Sequence, residues 1–382
     1  MTAYELGRVP RILVGGEMVK GLGTLVRGLS GKSVAFVVDG AVARGGYLEH
    51  LQRALGGIPS ATYLVPPGEP TVEVVNEAAT MARGLTEPVV IGVGGGSTLD
   101  TAKQVGGVIA AHYPIEHYLL CANPWGGHRP IIAIPTTAGT GSEVTRTCIV
   151  SDAEGRKMWT WGDELLPDVV ILDPAVSATM PAWVTASTGL DALVHALEAA
   201  TGQRRNPISK GIALHAIRLV IRYLPTAVRE PGNLVARQGM QEAALLAGMA
   251  IDNCGTGIAH NIGHALGTLY HIPHGIAVTV ALEAALPWNL QGNAAVYTEV
   301  AECFGVRPED LPRAFQGLLE ASGFSTALQG IQVEAMNADD LATAMQAPEN
   351  QPMLKNNVQV ADQVAILQLA ERTVKVWQSH RS

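Results

Sequence analysis

The chain carries little charge for its length. Asp, Glu, Lys and Arg make up 16% of its 382 residues, and aromatic residues make up only 5%. So low a charged fraction, beside 47% hydrophobic residues, excludes a disordered chain or a coiled coil and predicts a large buried core. The net charge of −8 comes without a basic cluster, so nucleic acid and anionic membranes are poor candidate partners. A chain of this length is too long for one ordinary hydrophobic core, and the length therefore predicts two domains.

Cysteine and long apolar runs are also scarce. The four cysteines are scattered and form no CxxC pair, which argues against a disulfide framework or a thiolate zinc site. The first residues contain no charged segment followed by an apolar run, so no signal peptide is expected. The longest strongly apolar stretch, near 276–287, is too short to span a bilayer. We therefore expect a cytoplasmic protein.

Short apolar runs alternate with helical patterns in the first half of the chain. The predicted strands are 33–38, 61–65, 88–93, 130–134 and 168–173, and the predicted helices include 41–54 and 71–84. Strands without internal polar alternation, separated by helices, are typical of a parallel sheet covered on both faces. We therefore predict a doubly wound α/β domain over residues 1–182.

The pattern changes after residue 182 to helical periodicity with few β-branched runs. The predicted helices are 183–201, 207–230, 234–253, 256–271, 274–292 and 361–378. Pro181, Pro207 and Pro231 mark helix starts. Residues 340–360 look polar and irregular. We predict an all-helical second domain over 183–382.

Two loops that follow predicted strands are candidate nucleotide sites. GGGSTLD at 94–100 opens a helix, where glycine allows close approach of a phosphate and free N–H groups favour an anion. It is not the GxGxxG fingerprint, and a tight structural turn is the alternative. PTTAGTGSEVT at 135–145 could line the same cleft or cap a helix. Asp39, at the end of another strand, could bind an adenosine ribose or be a solvated turn residue.

Four of the eleven histidines fall within residues 257–275. His260 and His264 are four apart on a predicted helix, as are Asp191 and His195 on another, and His274 follows. Imidazole and carboxylate suit a divalent metal, but spacing alone does not say which of these five groups bind it, and a structural Asp–His hydrogen bond remains an alternative. The HExxH motif is absent, which excludes the usual zinc protease. His271 lies off the shared helix face and is expected at the surface.

Several segments together resemble the iron-containing (group III) alcohol dehydrogenase family. The matching segments are GGGSTLDTAK (94–103), PTTAGTGSEVT (135–145), LLPDVVILDP (165–174), TGLDALVHALE (188–198), GIAHNIGHALGTLYHIPHG (257–275) and QPMLKNN (351–357). The resemblance spans almost the whole chain. It implies an N-terminal dinucleotide-binding α/β domain, a C-terminal helical domain and a metal in the cleft between them.

The resemblance also assigns roles to individual residues. The family's metal ligands correspond to Asp191, His195, His260 and His274, and its proton-relay histidine corresponds to His264. Fe²⁺ is favoured as the metal, and Zn²⁺ suits the same ligands. The positions that match cofactor-contacting residues are Asp39, Gly94, Gly95, Gly96, Ser97, Asp100, Thr136, Thr137, Thr140 and Lys157.

The resemblance further implies NAD(H) rather than NADP(H), because Asp39 is acidic. The chain departs from the family pattern at Glu69, where the family often has Asn, at 276–280 and at 356–359, which affects substrate identity and fine cofactor contacts.

The implied activity is hydride transfer between nicotinamide and a small primary alcohol or aldehyde, with the metal polarising the substrate oxygen. One alternative is an NAD- and metal-dependent synthase or lyase on the same scaffold, and another is polyol oxidation of the glycerol dehydrogenase type. A binding protein without catalysis is less favoured, because the ligand set is complete. The resemblance also implies a homodimer or higher homo-oligomer, with an edge strand near residues 10–14 able to pair between subunits.

Overall fold

The computed structural model describes residues 3–111, 113–333 and 335–381. They form two compact units, of which one is Arg8–Thr179 and the other comprises the segments on either side of it. Every strand that the structure describes lies in the first unit, and the second unit is built from helices.

Six parallel strands form the central sheet of the first unit, in the spatial order β1-β8-β5-β4-β2-β3. The remaining two strands, β6 and β7, form an antiparallel hairpin. The strands are β1 (Arg11–Val14), β2 (Ser33–Asp39), β3 (Ser60–Val65), β4 (Pro88–Gly94), β5 (Ile131–Pro135), β6 (Thr147–Ser151), β7 (Lys157–Trp161) and β8 (Val169–Leu172).

Helices cover both faces of this sheet. Val34, Phe36 and Val38 of β2 belong to one buried core cluster, whereas Ala35 and Val37 belong to another, because successive side chains of a strand point to opposite faces. The helices of this unit are α1 (Leu22–Gly28), α2 (Gly40–Arg44), α3 (Tyr47–Ala54), α4 (Val72–Arg83), α5 (Gly96–Ala111) and α6 (Pro174–Ser177). The predicted doubly wound α/β fold is confirmed.

The strand order reverses between β2 and β4. From β2 the chain moves outward to β3, then returns across β2 to β4 and continues to β5 on the opposite side. Ligands of open α/β sheets bind beyond the carboxyl ends of the strands at such a reversal. Asp39 ends β2 and the glycine turn follows β4, so the fold brings both to this position.

Two local features of this unit differ from the sequence prediction. The expected helix over 41–54 is divided into α2 and α3, because Gly46 takes a positive φ of 81° that ends regular helix there. The β6–β7 hairpin was not predicted. Its strands are short and only partly buried, so they lack the apolar runs that mark the parallel strands.

Eleven helices of the described chain belong to the second unit. They are α7 (Ala182–Thr201), α8 (Pro207–Arg229), α9 (Leu234–Cys254), α10 (Ile258–Tyr270), α11 (His274–Leu290), α12 (Thr298–Cys303), α13 (Leu311–Ala321), α14 (Phe324–Ala327), α15 (Ala338–Met345), α16 (Gln351–Asn356) and α17 (Gln363–Ser379). Most of α7 is buried, and it packs against α8, α9 and α11.

The prediction that 340–360 is irregular was wrong, because α15 and α16 cover much of it. The Asn337 side chain accepts hydrogen bonds from the Asp339 and Asp340 N–H groups, and Leu341 and Met345 are buried. This N-cap and the burial of the two apolar side chains against the rest of the unit stabilise the short helix α15.

Helix α8 is long and apolar enough, by length and composition alone, to cross a membrane. Core helices pass the same test, and α8 packs along α7 and α9.

Candidate metal centre and nucleotide loops

Three helices of the second unit bring a carboxylate and three imidazoles together. Asp191 and His195 lie one turn apart on α7, His260 lies in the first turn of α10, and His274 is the first residue of α11. One ligand atom from each of the four lies within 4.8 Å of the others. Asp191 Oδ1 is 3.6 Å from His274 Nε2, 3.8 Å from His195 Nε2 and 3.9 Å from His260 Nε2.

The turn between α10 and α11 delivers His274 to this cluster. His271 ends α10 in the left-handed conformation with φ of 53°, and Pro273 precedes the first turn of α11. Gly275 allows α11 to begin directly against α7, because a Cβ there would lie 2.4 Å from the carbonyl oxygen of Ser187. His271 itself is exposed, as expected. The close contact between Gly275 and Ser187 is one that helical periodicity does not reveal.

Three atoms of the cluster are buried without a hydrogen-bond partner among the described residues. They are Asp191 Oδ1, His260 Nε2 and His195 Nδ1. The first two face the point where the four side chains converge, whereas the His195 nitrogen that lies 3.8 Å from Asp191 Oδ1 is Nε2. Buried polar atoms in native proteins are nearly always partnered. The separations of 3.6–3.9 Å from Asp191 Oδ1 to the imidazole nitrogens approach the edge of about 3.4 Å of a tetrahedron with bonds of about 2.1 Å. The donor set therefore fits a divalent cation.

A second carboxylate, Glu198, holds His260 from the other side of the ring. Glu198 Oε2 lies 2.6 Å from His260 Nδ1 and accepts a hydrogen bond of 2.7 Å from the Gly257 N–H, while Oε1 accepts one of 2.7 Å from the Ala259 N–H. With Nδ1 bound to a carboxylate, the proton sits on Nδ1 and Nε2 keeps its lone pair for the cluster.

Burial shifts the pKa values of both His260 and Glu198. Burial and the neighbouring His195 lower the pKa of His260 from 6.5 to about 3, with Asp191 opposing, so the ring is neutral near pH 7. Burial raises the pKa of Glu198 to about 7, and the N–H groups of Gly257 and Ala259 oppose that rise. A neutral imidazole is the form that binds a metal.

His264 lies one turn after His260 on α10, at the edge of the cluster. Its ring centroid is 5.4 Å from that of His274 and 6.3 Å from that of His260. His264 and His274 are half-buried, whereas Asp191, His195 and His260 are buried. Of the five groups that spacing left open, the geometry brings four together as candidate ligands and places His264 beside them.

The two predicted nucleotide loops of the first unit lie against each other. The Thr136 N–H donates to the Gly94 carbonyl over 2.9 Å, and a Cβ at Gly96 would lie 2.7 Å from Thr140 Cγ2. A Cβ at Gly95 would lie 3.2 Å from Thr137 Cγ2. The glycines thus allow threonine hydroxyl groups to pack against the start of α5.

The start of α5 offers free backbone donors. Its first i to i−4 hydrogen bond runs from the Leu99 N–H to the Gly95 carbonyl over 3.0 Å. The N–H groups of Gly96, Ser97 and Thr98 precede it and have no intrahelical acceptor. The first turn carries no acidic side chain that would repel an anion. This cradle fits a pyrophosphate.

The other candidate cofactor residues occupy different environments. Asp39 Oδ1 accepts a hydrogen bond of 2.7 Å from the Ala41 N–H and so caps α2. Asp100 is buried. Its Oδ1 accepts a hydrogen bond from Ser142 Oγ and lies 3.4 Å from Lys103 Nζ. Its Oδ2 accepts a hydrogen bond of 2.8 Å from the Ile149 N–H. Lys157 Nζ lies 3.1 Å from Glu69 Oε1.

Two family models together match nearly the whole chain. The model described as iron-containing alcohol dehydrogenase matches residues 10–174, and that of the Fe-containing alcohol dehydrogenase family, C-terminal, matches residues 185–374. The chain belongs to the iron-containing alcohol dehydrogenase family.

Individual members of this family resemble the chain over most of its length. It is 34% identical to a sulfoacetaldehyde reductase from Bilophila wadsworthia, over 93% of this chain and 96% of that protein. It is 36% identical to a 1-propanol dehydrogenase from Salmonella typhimurium, over 77% and 78%. A crystal structure of sulfoacetaldehyde reductase from Bifidobacterium kashiwanohense in complex with NAD⁺ superposes with a TM-score of 0.89 at 28% identity, covering 98% of this chain and 99% of that one.

Membership of this family confirms the predicted family, fold class and enzyme class. The relatives are dehydrogenases and reductases, which favours an oxidoreductase over the synthase alternative. Sequence reasoning did not identify Glu198 as part of the site. Its signal was present, because Asp191, His195 and Glu198 are spaced by four and three residues and so share a face of α7.

Proposed function

We propose that the chain is a metal-dependent, NAD(H)-linked alcohol dehydrogenase or aldehyde reductase that acts on small primary alcohols and aldehydes. The observation that carries the proposal is the convergence of Asp191, His195, His260 and His274, which place one ligand atom each within 4.8 Å of the others. Asp191 Oδ1 and His260 Nε2, which face this point, are buried without a hydrogen-bond partner among the described residues. The family supports Fe²⁺ as the ion, and Zn²⁺ suits the same ligands.

We assign dinucleotide binding to the α/β domain and metal binding to the helical domain, with the boundary near residue 182. The glycine turn and its three threonines are assigned to the pyrophosphate, and Asp39 to the adenosine ribose. A relative solved with NAD⁺ supports this cofactor. Lys157 is assigned to the nucleotide edge, and Asp100 supports the glycine turn through its buried hydrogen bonds.

The bound ion would supply a Lewis acid for the substrate oxygen, and nicotinamide would supply the hydride acceptor or donor. The side chains of this protein provide alignment and proton movement. Asp191 and the three imidazoles hold the centre, and the buried surroundings exclude water from it. His264, half-buried beside His274, takes the alcohol proton towards solvent during oxidation and returns it during reduction.

Substrates of two or three carbons are the best supported class. The relatives carry the names sulfoacetaldehyde reductase and 1-propanol dehydrogenase. Few basic residues occur in the matching segments, which favours a neutral or singly charged substrate over a phosphorylated one.

A direct assay tests this proposal. Protein reconstituted anaerobically with Fe²⁺, and separately with Zn²⁺, is mixed with NADH or NADPH and short aldehydes, including propanal, lactaldehyde, 3-hydroxypropanal and sulfoacetaldehyde. We expect metal-dependent oxidation of NADH, followed by its absorbance. Bound metal and bound NADH without turnover of any aldehyde would favour the synthase-type alternative.

We further propose a cytoplasmic homodimer. Strand β1 is an edge of the six-stranded sheet and exposes Arg11 and Val14, so its outer N–H and C=O groups can pair with a second copy. All four cysteines are free thiols, as is usual in a reducing compartment. Light scattering at micromolar concentration should give twice the chain mass, and a monomer would contradict the dimer.

A further inference from the structure

The loop after β3 is held in place by the β6–β7 hairpin. The Ser151 N–H donates to the Pro70 carbonyl over 2.7 Å, and Thr71 forms a parallel β-bridge with Ser151. Lys157 pairs with Ser151 across the hairpin. The backbone therefore places Lys157 beside the loop that carries Glu69.

An ion pair closes this arrangement. Lys157 Nζ lies 3.1 Å from Glu69 Oε1, with side-chain exposures of 16% for Lys157 and 48% for Glu69. The lysine is thus largely enclosed, and the carboxylate faces partly outward. Because the pair is anchored by backbone hydrogen bonds on both sides, holding it requires less ordering of side chains than a typical surface pair.

The pair lies at the strand next to Asp39. Strand β3 runs parallel to β2 with Val65 opposite Asp39, so the Glu69 loop leaves the sheet at the same edge, one strand beyond Asp39. The glycine turn leaves from β4, on the other side of β2. Parallel neighbours are about 4.8 Å apart. A nucleotide with its phosphates at the glycine turn and its ribose at Asp39 extends towards Glu69.

The charge at this edge of the sheet affects the binding of a nucleotide that carries a 2′-phosphate. That group carries close to two negative charges and needs a cation with available hydrogen-bond donors. Lys157 would be such a cation, but Glu69 neutralises it. We propose that Glu69 is a specificity-determining residue that, by engaging Lys157, withholds this ammonium group from a 2′-phosphate and so favours NAD(H) over NADP(H).

The proposal rests on the proposed NAD(H)-linked function and adds to the repulsion from Asp39. Glu69→Gln keeps the shape of the side chain and removes its charge, which leaves Lys157 with an uncompensated positive charge. A unit charge within a few ångströms of a phosphate near a protein surface changes affinity on the order of tenfold. We therefore expect the variant to gain affinity selectively for 2′-phosphorylated nucleotides.

Calorimetric binding of 5′-AMP, 2′,5′-ADP, NADH and NADPH tests this without turnover. The proteins are the wild type, Glu69→Gln, Lys157→Met, the double variant and Glu77→Gln. Glu77 is a matched control, because its carboxylate accepts a 2.7 Å hydrogen bond from Tyr63 in the same unit without engaging a lysine. We expect Glu69→Gln to shift the 2′,5′-ADP to 5′-AMP affinity ratio about tenfold towards 2′,5′-ADP. The double variant should lose that gain, and Glu77→Gln should keep the wild-type ratio.

Three results would overturn the inference in distinguishable ways. If wild type binds NADH and Glu69→Gln keeps the wild-type affinity ratio, the role of Glu69 is wrong while the proposed function stands. If a gain in Glu69→Gln persists in the double variant, Lys157 is not the group that Glu69 withholds. If wild type binds neither NADH nor 5′-AMP, the proposed function and this inference both fail.

Discussion

Asp191→Ala is expected to release the metal and reduce turnover to background. Asp191 Oδ1 is the atom that faces all three imidazoles, at 3.6–3.9 Å, and it supplies the anionic charge of the ligand set. Without it, a divalent ion loses one of its four ligands and the only negatively charged one, and is held more weakly. His274→Ala should act in the same way. Elemental analysis of the purified variants, together with the NADH assay, measures both effects.

His264→Ala separates proton transfer from metal binding. The ring of His264 lies 5.4 Å from that of His274 but outside the four-residue ligand set. We expect this variant to keep its metal and to lose on the order of 10²–10⁴-fold in turnover. A His264→Ala protein isolated without metal, or an Asp191→Ala protein with a full complement, would reverse the assignment. Far-ultraviolet circular dichroism of each variant checks that the helices remain folded.

The parts of the fold that depend on local pattern could be predicted from the sequence. Strand β4 is buried along its whole length and β2 at every residue but its last, so each appears as a continuous apolar run. The observed strands end within a residue or two of the predicted ones. Proline at the first position of α8 likewise marks its start. The hairpin β6–β7 has neither a continuous apolar run nor a proline that marks its start. Its position depends on a β-bridge between Ser151 and Thr71, which no local sequence pattern encodes.

The sequence predicts those contacts of the candidate site that join residues close together in the chain, and not those that join distant residues. Pairs such as Asp191 and His195 follow from helical spacing, but choosing four ligands from five groups required the family resemblance. The hydrogen bond between Glu198 and His260 joins residues 62 positions apart, and the Glu69–Lys157 pair joins residues 88 apart. A surface carboxylate on a helix gives the same sequence pattern as Glu198, so only packing distinguishes the two.

Glu198→Gln is expected to weaken metal binding although Glu198 is not one of the four ligands. Three donors converge on this carboxylate: the N–H groups of Gly257 and Ala259, and Nδ1 of His260. A glutamine has one acceptor oxygen, so its NH₂ group must face one of these donors. With the amide oxygen in the Oε2 position, Gly257 and His260 keep an acceptor and the NH₂ group opposes the Ala259 N–H. A neutral amide oxygen is a weaker acceptor than a carboxylate, so it orients the His260 ring less firmly and makes Nε2 a poorer metal ligand. Loss of such a partner typically costs 10–100-fold in metal affinity.

Glu283→Gln is the matched control for this variant. Glu283 makes the same kind of contact, with its Oε2 2.7 Å from His380 Nε2, but it lies nine residues along α11 from His274, about 13 Å along the helix axis. Competition with a chelator for Zn²⁺, and the visible spectrum of the Co²⁺ form, measure affinity and ligand geometry without turnover. We expect the spectrum and affinity to change in Glu198→Gln alone. If Glu198→Gln bound metal as tightly as Glu283→Gln and kept the wild-type spectrum, Glu198 would serve only to hold the start of α10, and His260 would be oriented by packing.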